Sequence, residues 1–289
     1  MNNFQEISNP NRKYTAVHLV DVMMGNPNGD PSADNRPRTL PNEHGMLTAV
    51  SIKRKIRDAV SILHGSDEGC EIFIKNDMAL NNKIAESFKA INAKLEANKL
   101  NPEATEHIKK TFFDVRMFGA VLNTGKNLAG QVKGCIQFND YISYDPIDPV
   151  ELQISRCAIT TDKDFDAGKQ STFGNKHVVQ YGLYHGVCMY DPNYGNLAGV
   201  SEKDLQMFWE SFPRMFDLSA SAARGVMTTQ KLVVFAQDSD SSYYQAGKLA
   251  SLVKVTKISE GAASSYFDYN VEVMKDSLPD GVEVYEYNF

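Results

Sequence analysis

Residues 13–63 run KYTAVHLVDVM (Lys13–Met23), MGNPNGDPSADNRPRTLPNEHGM (Met24–Met46) and LTAVSIKRKIRDAVSIL (Leu47–Leu63). The first run is rich in β-branched and aromatic residues and roughly alternates, which predicts a strand. The second is crowded with Pro, Gly, Asn and Asp, the turn formers, and predicts a long loop; such loops inside compact domains are usually functional or disordered. The third predicts a helix. At about 100° per residue, Ala49, Ile52, Ile56, Ala59, Val60 and Leu63 gather on one face. Lys53, Arg54 and Arg57 flank that stripe with Val50 among them, so the basic flank lies near the rim of a core and still reaches an anion. Removing Lys53 and Arg57 together is therefore expected to spare the fold.

Outward from this unit, Cys70–Lys75 reads as a short strand, and Asn82–Asn98 and Pro102–Val121 read as helices. Gln131–Tyr144, Gln153–Thr161 and His177–Tyr190 read as strands. The polar stretch Thr161–Lys176 between the last two is expected to be the tip of a protruding hairpin. Ser201–Phe216 predicts an amphipathic helix, and Lys231–Gln237, Leu249–Ile258, Tyr269–Met274 and Val282–Tyr287 predict strands. No repeat or low-complexity tract appears. Strands and helices mix without a strict βαβα rhythm, which favours an α+β domain with insertions.

The chain has 289 residues, enough for one elaborated domain or two small ones. With 42% apolar residues, 15 Phe and 13 Tyr it can bury a core, which argues against disorder. No stretch approaches the ~18 apolar residues of a membrane span. The start, MNNFQEISNPNRK, lacks the apolar region of a signal peptide, so a cytoplasmic protein with no membrane partner is expected. Cys70, Cys135, Cys157 and Cys188 lie too far apart to suggest a zinc site or disulfide framework.

The formal charge of −6 is unevenly spread. Residues 191–289 carry 8 basic and 14 acidic side chains, residues 1–64 carry 8 and 6, and residues 101–135 carry 5 and 3. That bias suits a polyanion groove, head-to-tail packing of like subunits or ordinary solvated surface. Catalytic motifs are missing. Gly119 to Asn127 has five residues between its glycines where a phosphate-binding P-loop needs four, and Asn127 stands in place of the Mg²⁺-binding Ser/Thr. GxSxG, HExxH and GxGxxG do not occur. The six histidines are scattered and read as structural, except His177, which adjoins Lys176 at the base of the hairpin. No catalytic residue, metal or cofactor is expected.

Five segments carry a specific resemblance: NPNGDPSADNRPR (Asn26–Arg38) with SIKRKIR (Ser51–Arg57), then DVRMFGAVLNTGKNLAGQVKGCIQF (Asp114–Phe138), TFGNKHVVQYGLY (Thr172–Tyr184) and SAARG (Ser221–Gly225). In their order, and over nearly the whole chain, they resemble the backbone subunit of the type I CRISPR interference complex, Cascade, subtype I-C, within the RAMP superfamily. The resemblance implies a hand-shaped fold. A modified RNA-recognition-motif (ferredoxin-like) palm would span about residues 12–64, 130–152 and 178–289. Inserted fingers would cover about 65–120 and a β-hairpin thumb about 153–177. It also implies copies polymerising head to tail along one CRISPR RNA, with thumbs displacing a base at a regular interval. The guide would be presented to target DNA, beside large, small and crRNA-processing subunits and a recruited nuclease-helicase.

A guide of arbitrary sequence must be held by phosphates, sugars and stacking. Lys53, Arg54 and Arg57 on the helix, and Arg36 and Arg38 between prolines, suit phosphates, although Arg36 and Arg38 can instead pair with Asp30 and Asp34. Asn26 and Asn28 are turn formers first and RNA contacts second. Asn123 and Lys126 belong to a loop able to form a phosphate nest. Arg224, Lys176 and His177 complete the set, and Phe173 is the candidate wedge at the thumb tip. Two rival functions remain: a guide-directed RNase of the type III backbone kind holding Mg²⁺ on Asp30 and Asp34, and a general RNA-recognition-motif protein, whose aromatic signature strand is absent. A purely structural filament is a third.

Overall fold

The computed structural model describes residues 4–93, 99–123, 127–156, 172–238 and 244–289, together with Lys163 and Asp166. In chain order the strands are β1 (Arg12–Gly25), β2 (Gly29–Asp30), β3 (Arg36–Pro37), β4 (His44–Leu47), β5 (Gly119–Val121), β6 (Gln131–Lys133), β7 (Ile136–Phe138), β8 (Tyr141–Pro146), β9 (Pro149–Arg156), β10 (Thr172–Tyr190), β11 (Val226–Asp238), β12 (Val253–Lys257), β13 (Tyr269–Val273) and β14 (Val282–Asn288). The helices are α1 (Ala49–His64), α2 (Leu80–Ala90), α3 (Pro102–Thr111), α4 (Phe113–Phe118), α5 (Pro192–Ala198), α6 (Glu202–Ser211) and α7 (Ala246–Ala250).

The expected α+β class is observed. Its centre is an antiparallel sheet in the order β14-β11-β1-β10-β8-β4, with β7 and β9 also on β10. Alternation along each strand sorts side chains to two faces. Tyr14, Ala16, Val20 and Val22 of β1 join α1, α6 and the fully buried Trp209 in one core. Val17 and Leu19 turn the other way and meet Leu249, Val253 and Tyr269 of the β12–β13 side. The sheet is therefore covered on both faces. His18 sits inside the helix-side core, bonded to Tyr141 Oη (2.9 Å) and Thr229 Oγ1 (3.1 Å). Burial pushes its pKa down to about 3, so it is a neutral structural group.

β10 is the longest strand, 19 residues or about 60 Å. Its second half pairs with β1. Its first half, Thr172–Val179, leaves that partner and pairs with β9 as a hairpin. The expected tip is thus shortened: Thr172–Lys176, read as tip from its polar composition, lies in the ladder opposite Leu152–Arg156. Polar side chains are tolerated there because the β9 arm is exposed.

Other expectations are corrected by packing. Cys70–Lys75 is not a strand; only Glu71 makes a bridge, to Phe112. Its Phe73 and Ile74 N–H groups go instead to the Asp114 carboxylate at 2.7 and 3.0 Å. The helix expected over Pro102–Val121 breaks at the extended Phe112 into α3 and α4, then ends at Gly119 (φ 77°) where β5 begins. Gln131–Tyr144 is three short strands. The helix expected over Asn82–Asn98 runs Leu80–Ala90, and residues 94–98 lie outside the described set. No helix among the described residues is long and apolar enough to cross a membrane.

Candidate nucleic-acid interface

The N-terminus of α1 is built by capping. The Thr48 hydroxyl accepts from Ser51 N, Asp140 Oδ1 accepts from Ala49 N at 2.7 Å, and Asn28 Oδ1 accepts from both Thr48 N and Thr48 Oγ1 at 2.9 Å. These bonds satisfy helix-end donors and pin the Asn26–Arg38 loop to the helix. Asn26 fastens the same loop elsewhere, through its N–H to Ala223 O (2.8 Å) and its Nδ2 to Asn35 O (2.6 Å). Both asparagines are thus scaffold residues. Close backbone approach makes the joint. A Cβ on Gly25 would lie 1.7 Å from Arg224 O, and one on Gly225, at φ +65°, 2.5 Å from the carbonyl oxygens of Met23 and Met24.

Around α1 the cations divide. Arg57 donates through Nε to Asp114 Oδ2 at 2.7 Å, and Asp114 is 1% exposed. The Arg57 guanidinium and Lys53 ammonium stand over the Phe118 ring, 5.1 and 5.5 Å from its centroid. Burial, reinforced by Arg57, lowers the Lys53 pKa. Arg54 pairs with Asp58 one turn on. Lys55, on the opposite flank, was assigned no role from sequence. It is 3% exposed, its Nζ donates to Ser219 Oγ at 3.3 Å and sits 5.4 Å from the Phe216 centroid. Burial and then the charge of Arg224 push its pKa down to about 8. Arg224 itself donates to Ser219 O. Two cations beside one serine, with no carboxylate in ion-pair contact among the described residues, can receive an anion. The signal for Lys55 was in the sequence: three residues after Ile52 and four before Ala59, it lies at the edge of the apolar stripe.

A second cluster lines a cleft of about 860 Å³ between the loop and the hairpin base, holding Arg36, Arg38 and His177 with Asp30 and Glu151. Arg38 pairs with Asp30 at 3.2 Å and Arg36 with Glu151 at 3.5 Å. Asp30 Oδ1 also accepts from Ser32 N and Oγ, which, ahead of Arg38, lowers its pKa. His177 Nε2 lies 3.5 Å from Asp34, the partner considered for the arginines. Lys176 is half-buried beside it and makes no ion pair among the described residues. Asn123 Oδ1 accepts from Gly130 N at 2.6 Å, closing its own loop. Lys126 lies outside the described residues, as does the Phe173 side chain; the Phe173 backbone pairs with Ser155 in the hairpin ladder, not at its tip. Among the described residues no group of three or more His, Cys, Asp or Glu is placed to hold a metal.

With this geometry in place, comparisons with known proteins converge. The family model described as CRISPR-associated protein Cas7 matches residues 12–274. The CRISPR-associated protein Cas7 of Haloferax volcanii is 21% identical over 280 residues, covering 89% of this chain and 79% of its own. A chain of a CRISPR RNA-guided surveillance complex, pre-nicking, superposes with a TM-score of 0.52 at 12% identity, with 80% of each chain covered. A chain of a further CRISPR RNA-guided surveillance complex gives 0.45 at 12% identity, over 80% of this chain and 72% of that one.

Proposed function

The chain belongs to the family of the CRISPR-associated protein Cas7, and on that premise we propose that it is the guide-binding backbone subunit of a type I surveillance complex, subtype I-C. In this reading, copies pack head to tail along one CRISPR RNA in the cytoplasm and present it for pairing with target DNA. The large, small and crRNA-processing subunits complete the particle, and a recruited nuclease-helicase cuts. The subunit itself is not a catalyst.

The observation that carries this reading is the meeting of sequence-distant segments around α1. The Asn26–Arg38 loop caps the helix through Asn28, the Ser221–Gly225 turn closes against Gly25, and Lys55 and Arg224 stand together. The two cations read no base, so they hold any spacer sequence equally. The chain order β1, α1, β7 and β8, β10, α6, β11, with spatial order β11-β1-β10-β8, supports a ferredoxin-like palm. The β9–β10 hairpin then serves as thumb and residues 65–120 as fingers.

The rivals fare less well. An ordinary RNA-recognition motif stacks bases on an open sheet face, whereas here Val17, Leu19 and Phe235 on that face pack beneath the β12–β13 side. Metal-dependent RNA cleavage would draw on Asp30 and Asp34, which here face Arg38 and His177 and, among the described residues, belong to no group of three or more His, Cys, Asp or Glu placed to hold a metal. The deciding experiment is to purify the assembled particle, measure its absorbance ratio and sequence its RNA. Repeat-derived RNA of uniform length is expected; an RNA-free filament or mixed cellular RNA overturns the reading. Adding Mg²⁺ and matching RNA should give no regularly spaced cleavage.

A further inference from the structure

One residue holds both cations on the carboxylate-free flank of α1. Lys55 Nζ donates to the Ser219 hydroxyl at 3.3 Å, and the Arg224 guanidinium donates to the Ser219 carbonyl. Four covalent bonds separate those two oxygens, which therefore lie no more than about 5 Å apart. The hydroxyl's own proton goes to Met215 O at 2.7 Å, and a hydroxyl has only one. Ser219 thus meets Lys55 as an acceptor and has no proton to spare for an anion.

The donors left over belong to the cations. An ammonium carries three N–H groups and a guanidinium five. Ser219 takes one from each, and the Phe216 ring, its centroid 5.4 Å from Lys55 Nζ, covers a further side of the ammonium. The charges felt at Lys55 are Arg224 and, on its own helix, Asp58, which is paired with Arg54. Ser219 and Arg224 are half-buried where Lys55 is buried, so the cluster meets solvent along the Ser219–Arg224 rim. A phosphodiester presents two charged oxygens on one phosphorus and can take N–H groups from both cations at once.

We infer that Ser219 is a positioning residue that gathers Lys55 and Arg224 onto a single phosphate of the bound strand, a reading that rests on the guide-binding proposal above. The serine does not touch the strand. It sets where the two charges stand, and two cations on one phosphate count as one contact where independent cations would count as two.

Filter binding of an unrelated RNA oligonucleotide to the full chain, over a range of salt, tests this. The log–log salt slope of Lys55→Met/Arg224→Gln should be shallower than that of the unmodified chain by about 0.7, one single-strand phosphate; a change of about 1.4 means two phosphates and overturns the shared contact. Ser219→Ala should weaken binding about fivefold, the scale of one hydrogen bond. Added to Lys55→Met it should weaken binding no further, because the serine acts through the lysine. An equal loss in both backgrounds, or no loss in the unmodified chain, overturns the positioning role. The salt slope still reports if Ser219→Ala fails to fold, and the Ser219 comparison still reports if the Arg224 variant does. Binding by the unmodified chain with a slope change of about 1.4 sinks only the shared phosphate, whereas no oligonucleotide binding by the unmodified chain sinks the guide-binding reading.

Discussion

The two flanks of α1 carry the same kind of residue and put it to different use. Toward α4, Arg57 is held by a carboxylate that is 1% exposed and also receives the N–H groups of Phe73 and Ile74. Toward the Ser221–Gly225 turn, the buried Lys55 faces another cation and a serine, with no carboxylate in ion-pair contact among the described residues. A buried charge with a matched partner belongs to the fold; one left beside a like charge is costly to the free protein and is relieved by an anion. Cation count alone does not separate these cases, whereas the identity of the nearest opposite charge does.

The largest effect should come from the paired flank. Asp114→Ala strands Arg57 and two backbone donors, and removing one partner of a buried pair costs about 3–5 kcal/mol. Chemical unfolding of RNA-free protein measures it, and a cost below about 1 kcal/mol would dissolve the distinction between the flanks. Arg57→Ala should cost about 3 kcal/mol by the same mechanism. The double removal of Lys53 and Arg57, expected from helix geometry alone to spare the fold, should therefore lower the thermal midpoint.

The other flank should behave oppositely. Lys55→Met keeps the aliphatic stem and deletes the buried charge, so stability should stay within about 1 kcal/mol or rise. RNA affinity should fall about tenfold, as a charge-assisted contact is lost. An unstable Lys55→Met protein with unchanged RNA binding would reverse the assignment.

A pH titration sharpens the same contrast. Burial and the charge of Arg224 bring the folded pKa of Lys55 down to about 8, below the ordinary lysine value of 10.5. Between those values the unfolded chain binds more protons, so stability of RNA-free protein gains a contribution as pH rises from about 8 to 10.5. RNA affinity should weaken over the same rise, because the ammonium is lost. Both trends should vanish in Lys55→Met.

The smallest effect is expected at Arg54, whose partner Asp58 lies one exposed helical turn away. Arg54→Ala should change stability by no more than about 0.5 kcal/mol. A larger loss would mean that the exposed face of α1 contributes to folding.

Much of the local structure was written in periodicity. The stripe of Ile52, Ile56, Ala59 and Val60 is buried as its spacing requires, and the alternation of Lys13–Met23 becomes the two-faced β1. The turn-rich loop and the hairpin were legible for the same reason: Pro, Gly and polar runs cannot sit in a core. The missed features depend on partners remote in sequence. CEIFIK has the composition of a strand, yet Asp114, some 40 residues later, takes the N–H groups that a neighbouring strand would have used. Pro102–Val121 has helical composition throughout, yet Phe112 turns extended where its backbone meets Glu71.

Residue types and their spacing thus determined most of the strands, helices and turns, and which cations stand together on α1, since those depend on torsion and on neighbours within a turn or two. Tertiary structure alone decided that Asn26 and Asn28 hold the scaffold, that Arg57 serves the core while Lys55 faces Arg224, and that Arg38 and His177 share a cleft with four carboxylates. The energy of a charge is set by whatever lies within a few ångströms of it in a low-dielectric surrounding, and the chain brings those neighbours from 50 to 200 residues away.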